Sequence, residues 1–149
     1  MTDPRPPLPT STSLRPALAL LAGLGVTVLI VFVGVTVSTL AALRGVDPKS
    51  YVAPFWTYPT HLVISALGAM AGGFTTARIT TGRTLFTTLV LALILLMSAL
   101  TPVLRRTARA PGEPDWYPLS LAIASPIAAL LGGIIERRRS LTYSPTPSA

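Results

Sequence analysis

Between Ala17 and Leu43 the chain runs for 27 residues without a charged side chain. Wound as a helix at about 1.5 Å per residue, such a run more than spans a hydrocarbon layer of about 30 Å, which takes roughly 20 residues. A helix that is apolar on every side finds no water-facing surface, so it is either enclosed by other chain or placed in lipid. Enclosure would need a charged outer shell elsewhere in the sequence. Only 11% of the residues are charged, against about 25% in an ordinary soluble domain.

Three further apolar stretches follow, His61 to Ala77, Leu85 to Leu104, and Leu119 to Ile135 behind a Trp-Tyr-Pro entry. The first stretch is long enough to tilt, while the second and fourth lie near the lower limit of a span. In Leu85 to Leu104 only Thr87, Thr88, Ser98 and Thr101 carry polar side chains, so no hydrophilic stripe exists for water to wet. The runs are continuous and do not alternate in units of about ten, which disfavours a β-barrel. The expected fold is all-α: a polytopic membrane protein with four transmembrane helices.

The predicted organisation is a Pro-rich disordered tail over residues 1–16, a first helical hairpin over 17–78, a second over 79–138, and a flexible tail over 139–149. Five prolines in the first 16 residues argue against a regular helix there. A cleaved leader has an apolar core of about 7 to 15 residues, so the longer first run is expected to be a retained span.

Orientation is read from the basic residues beside the spans. Arg5, Arg15, Arg78, Arg83, Arg137, Arg138 and Arg139 fall on one side, seven in all, against five on the other: Arg44, Lys49, Arg105, Arg106 and Arg109. The bias puts both termini in the cytoplasm of a cell-membrane protein. Trp56, Tyr58, Trp116 and Tyr117 precede the second and fourth spans, and rings with an apolar body and a polar edge prefer the headgroup level. Together with Arg78, Arg83 and Arg137 to Arg139 they are expected to act as interfacial anchors.

Sliding the chain against itself by 60 residues gives 11 identities over the 52 residues from Thr27 to Arg78 without a gap. Trp56 falls on Trp116, Ser65 on Ser125, Gly72 and Gly73 on Gly132 and Gly133, and Arg78 on Arg138. This pattern predicts two copies of one hairpin. Since each copy holds an even number of spans, the copies would be parallel, related by an axis along the membrane normal.

Small residues recur at helical spacing in the second and fourth spans. Gly68 and Gly72 are four apart, as are Ala69 and Gly73, Ala128 and Gly132, and Ala129 and Gly133. Each pair lies on one helix face, where a missing side chain lets a second backbone approach. Gly68, Gly72, Gly73, Ala128, Gly132 and Gly133 are the expected helix-packing residues. Pro126 interrupts the fourth span, where it removes the bond to residue 122 and predicts a bend near Ala122.

The chemistry available is narrow. With no cysteine there are no disulfides, thiolate zinc sites or thiol nucleophiles. No Asp, Glu, Lys or Arg lies within the apolar part of any span, the depth at which proton relays and many ion pathways place ionisable groups. His61 is the one histidine and has no Asp, Glu or Cys companion for a metal cluster or dyad. Thr75, Thr76, Thr80, Thr81 and Thr84 surround Arg78 and Arg83, either as anion ligands or as donors to nearby backbone.

No catalytic residue, cofactor or metal site is therefore expected. A charge of +7 split around the spans forms no extended face for nucleic acid. The expected partners are membrane lipids, a second copy of the chain or another membrane protein. The leading functional expectation is a structural or accessory subunit acting through helix–helix contacts. The alternatives are a small transporter or channel component, and a membrane enzyme without a recognisable site.

Overall fold

The computed structural model describes residues 14–45, 53–80, 84–105 and 113–142. They form four helices, α1 (Leu14–Ala42), α2 (Thr57–Ile79), α3 (Thr84–Arg105) and α4 (Trp116–Thr142). All four are long and apolar enough to cross a membrane. The described residues are otherwise turns and short connections.

Helix ends overrun the apolar runs, for a backbone reason. α1 begins at Leu14, three residues ahead of Ala17, and takes Pro16 as its third residue; Pro59 and Pro118 are likewise third in α2 and α4. The first N–H groups of a helix have no acceptor within it, so a proline there forfeits nothing. Two of these entries are prepared by turns, Thr57 N–H donating to Pro54 O at 2.9 Å and Tyr117 N–H to Pro114 O at 3.1 Å. At its other end α4 continues through Arg137, Arg138 and Arg139 to Thr142, because the ladder of backbone bonds needs no apolar side chains. α1 closes with Leu43 N–H bonded to Thr39 O, followed by Gly45 at φ 79°, a left-handed conformation that glycine adopts without strain.

α2 and α4 form the central pair, in the most extensive contact of the fold, with α1 on α2 and α3 on α4. The central helices run in the same direction, with Tyr58 against Tyr117 near their starts and Gly73 against Ala129 further along. α1 runs against α2, since Ser38 meets His61 at one end and Thr76 reaches Ala19 at the other. One end of the bundle is thus aromatic, and the other holds the start of α1 and the end of α4; we call the latter the terminal end.

The glycines give the layout. A Cβ on Gly72 would strike α1, and one on Gly73 would strike α4. Likewise Gly132 faces α2 and Gly133 faces α3. Consecutive helix residues point about 100° apart with a fixed hand, so α1 and α3 stand on the same side of the central pair. They touch each other there. The bundle is a quadrilateral in the order α1, α2, α4, α3.

Its interior is made of small residues. Ala69, Ala92, Ala128 and Ala129 form the core cluster, with Ala66, Met70, Leu95 and Leu130 packed around it. The bulky side chains point outward instead: Phe32 is 68% exposed, Leu93 55% and Leu67 52%. A water-soluble protein places its large apolar groups the other way round. Small interiors and bulky exteriors are what helix packing in lipid produces, because lipid is as apolar as leucine and close backbone approach supplies the attraction. α4 is continuous through Pro126, and Ala122, one turn earlier, is buried.

Candidate functional site

Three places gather the residues singled out above: the glycine seams, a cleft among all four helices, and a crevice at the terminal end.

Along the seam between α1 and α2, Gly68 lies under Thr27 and Val31, and Gly72 lies against Gly23 and Thr27. A Cβ on Gly72 would come within 2.5 Å of Gly23 O, and one on Gly23 within 2.7 Å of Gly72 O, so neither position admits a side chain while the other is in place. Between α2 and α4, a Cβ on Gly73 would fall 2.7 Å from the Ala129 carbonyl carbon, and one on Gly132 would fall 2.9 Å from Phe74 N. Gly133 abuts Thr88 of α3, and Ala128 is buried in the core cluster. These faces are filled by the chain's own helices. The α1 half of the first seam, Ala19, Gly23 and Thr27, was not anticipated, although its spacing of four was present in the sequence.

Two buried threonines of α2 differ in what their hydroxyls meet. Thr76 Oγ1 donates across the hairpin to Ala19 O at 3.3 Å. Thr57 Oγ1 is buried and has no hydrogen-bond partner among the described residues. Thr76→Val is therefore expected to cost about 0.6 kcal/mol, the average for an interhelical bond in a membrane protein. Thr57→Val, which removes an unmet donor, should be neutral or slightly stabilising. Detergent-titrated unfolding of the two variants side by side checks the contrast, and equal effects would contradict it.

The threonine strip at the terminal end is occupied by its own backbone. Thr75 donates to Ala71 O, Thr80 to Thr76 O, Thr84 to Thr80 O and Thr88 to Thr84 O. These hydroxyl protons are not available to an anion, and that of Thr84 links the start of α3 to the end of α2. Arg83 and Thr81 lie outside the described residues.

At the aromatic end Phe55 packs edge-on to Trp116, Tyr58 to Tyr117, and Trp116 to Tyr117, with ring centroids 5.2 to 6.3 Å apart. Trp56 and Trp116 keep substantial exposure, but Tyr58 is buried between α2 and α4. Its ring closes the central pair and does not face outward. Ser38 Oγ lies 2.9 Å from Val35 O and 2.9 Å from His61 Nε2. The Ser38–His61 pair ties α2 to α1. Among the described residues no three of His, Asp and Glu gather as metal ligands.

The cleft has a volume of about 600 Å³ and is lined from every helix. Thr27 to Thr36 of α1 and Leu95 to Ala99 of α3 form its walls, while Ser65, Ala69, Leu121 and Ser125 form its floor. It lies in the half of the bundle nearer the aromatic end. Ser65 and Ser125, matched at the 60-residue offset, face the same space.

The second crevice, about 810 Å³, opens between the last turns of α2 and α4. Phe74 and Ile135 line its apolar part, and Arg78, Arg138, Arg139 and Glu136 its polar part. Arg137 is exposed and points elsewhere on α4. The charge at this end was readable from the sequence; the grouping of Arg78 with Arg138 and Arg139, apart from Arg137, required the fold.

No family model matches the chain, and no curated protein or solved structure is significantly similar to it.

Proposed function

We propose that this chain is a small multi-pass membrane protein with a structural or accessory role, exercised through helix–helix contact in the cleft between α1 and α3. The cleft is the observation that carries this reading. The glycine faces are already spent inside the bundle, whereas the cleft is open and runs along ten residues of α1, about 14 Å of helix. Its walls and floor offer Thr36, Ser65, Ser98 and Ser125, short hydroxyl side chains that allow close approach and can bond across to a membrane helix where lipid offers no partner. The occupant proposed is a transmembrane helix of another protein.

Native mass spectrometry of the full chain extracted in mild detergent tests this. The expected result is a complex of fixed stoichiometry that is lost when Ala99→Phe fills the cleft, with the helical signal unchanged. A partner-free monomer in every mild detergent would overturn the reading, and a homo-oligomer resistant to Ala99→Phe would place the contact elsewhere.

A second reading, transport, draws on the same cleft, since it reaches residues of all four helices. Solute movement into sealed vesicles above protein-free controls, blocked by Ala99→Phe, would favour it.

We further propose residence in the cell membrane with both termini in the cytoplasm, on the arginine bias between the two ends. A reporter fused after Ala149 should be active only on the cytoplasmic side; activity only outside would reverse the orientation. Duplication of one hairpin is proposed from the 60-residue offset, supported by the shared burial of Ala69 with Ala129, Gly72 with Gly132 and Gly73 with Gly133. The faces have exchanged duties, however: Gly72 meets the helix of its own hairpin while Gly132 meets the other hairpin. With α1 and α3 on one side of the central pair, the copies are better described as side by side than as related by a two-fold axis.

A further inference from the structure

We propose that the crevice between the ends of α2 and α4 is a binding site for a negatively charged phosphate group, held by Arg78 from one helix and by Arg138 and Arg139 from the other. The argument begins with charge. Three guanidinium groups and one carboxylate, Glu136, line the space. Two helices also end here, each contributing about half a negative charge at its C-terminus. The sum is about one positive charge.

Among the described residues none of these three arginines is engaged in an ion pair, although Glu136 lines the same space. Ser140 and Thr142 do not compete as donors, because Ser140 Oγ donates to Arg137 O at 2.8 Å and Thr142 Oγ1 to Arg138 O at 3.0 Å. The guanidinium forks are thus the donors that remain, and planar forks match phosphate oxygens in pairs. The rest of the lining fits a ligand that is anionic at one end and apolar at the other. Phe74 and Ile135 lie in the crevice beside the arginines.

Two helices must contribute for the site to exist. α2 and α4 are held together at Gly73 and Gly132, one to two turns before Arg78 and Arg138. The glycine contact therefore sets the separation of the arginines, and the site depends on the fold and not on the basic run Arg137 to Arg139 as such. Arg137 provides the comparison: it has the same charge and the same depth, on another face of α4.

The test uses the full chain in detergent, titrated with phosphatidylglycerol or with phosphatidylcholine and read by native mass spectrometry, with inorganic phosphate as a competitor. Phosphatidylglycerol is expected to be retained in preference to phosphatidylcholine. Arg78→Gln and Arg138→Gln should each weaken its retention about fivefold, and Arg137→Gln less than twofold. Should the glutamine variants fail to assemble, Arg78→Lys with Arg138→Lys keeps the charge, loses the forks, and should still reduce retention severalfold.

Competition by inorganic phosphate would mean that the free anion suffices; retention unaffected by phosphate would assign the site to a lipid headgroup. Equal losses from Arg137→Gln and Arg138→Gln would show a diffuse basic surface and overturn the proposal. Indifference of the wild-type chain between the two lipids, together with no effect of phosphate, would also overturn it.

Discussion

Replacing Gly73 with alanine should destabilise the bundle by about 3 kcal/mol, whereas the same change at Gly25 should be neutral or stabilise it by up to about 1 kcal/mol. The two glycines both lie inside helices, so intrinsic propensity favours alanine at each by the same amount. What differs is the space. Nothing lies within 4 Å of a Cβ built on Gly25. A Cβ on Gly73 meets the backbone of Ala129, with the carbonyl carbon at 2.7 Å and Cα at 2.9 Å. Backbone cannot rotate aside as a side chain does, so α4 must move outward as a body. That motion also lifts Gly132 from Met70 and Phe74, and dispersion contact is lost along the whole central seam. Gly34 is intermediate, since its neighbour is the Ile64 side chain and not backbone, and its alanine variant should cost less than Gly73→Ala. Unfolding in mixed micelles of rising sodium dodecyl sulfate content measures all three. Equal effects at Gly25 and Gly73 would mean that the central seam is not closed in the folded protein.

The four spans could be read from the sequence because continuous apolarity is a property of each segment alone. The sharing of one helix side by Gly68 and Gly72 was also readable, since spacing by four determines it. Which neighbour each side meets was not. In a soluble helix an apolar stripe points to the core, but α1 is apolar all round, and the signal that would orient it is absent. Ala19, Gly23 and Thr27 illustrate the difficulty: three small residues at a spacing of four, hidden in the most apolar part of the chain. Tyr58 shows the converse. A tyrosine at the mouth of a span resembles an interfacial anchor, yet its position on α2 turns it toward Tyr117 and it is buried. The terminal-end crevice needed the third dimension outright, because Arg78 and Arg138 are 60 residues apart and meet only through the parallel placement of α2 and α4.

Leu67→Arg should remove α2 from the membrane, and with it the topology of everything that follows. Leu67 lies near the middle of α2 and is 52% exposed. On a water-facing surface such a change would alter stability by no more than about 0.5 kcal/mol. Facing lipid, an arginine at mid-span costs about 2.5 to 3.5 kcal/mol on insertion scales, on the order of a hundredfold in the insertion equilibrium. α2 has little reserve against that cost, because Gly68, Gly72, Gly73, Thr75 and Thr76 add almost nothing to its transfer into lipid. The seam makes this unavoidable: the residues that allow α1 and α4 to approach are the ones that leave α2 weakly apolar. An arginine at Ile79, one turn from Thr76 at the end of the same helix, can extend its head to the interface and should be tolerated. Membrane extraction with alkaline carbonate, combined with protease access to a tag after Ala149, separates these outcomes. If Leu67→Arg left a stable, correctly oriented chain, or released a soluble folded one, then the exposed bulky side chains do not face lipid and the bundle is stabilised by something other than close packing of small residues.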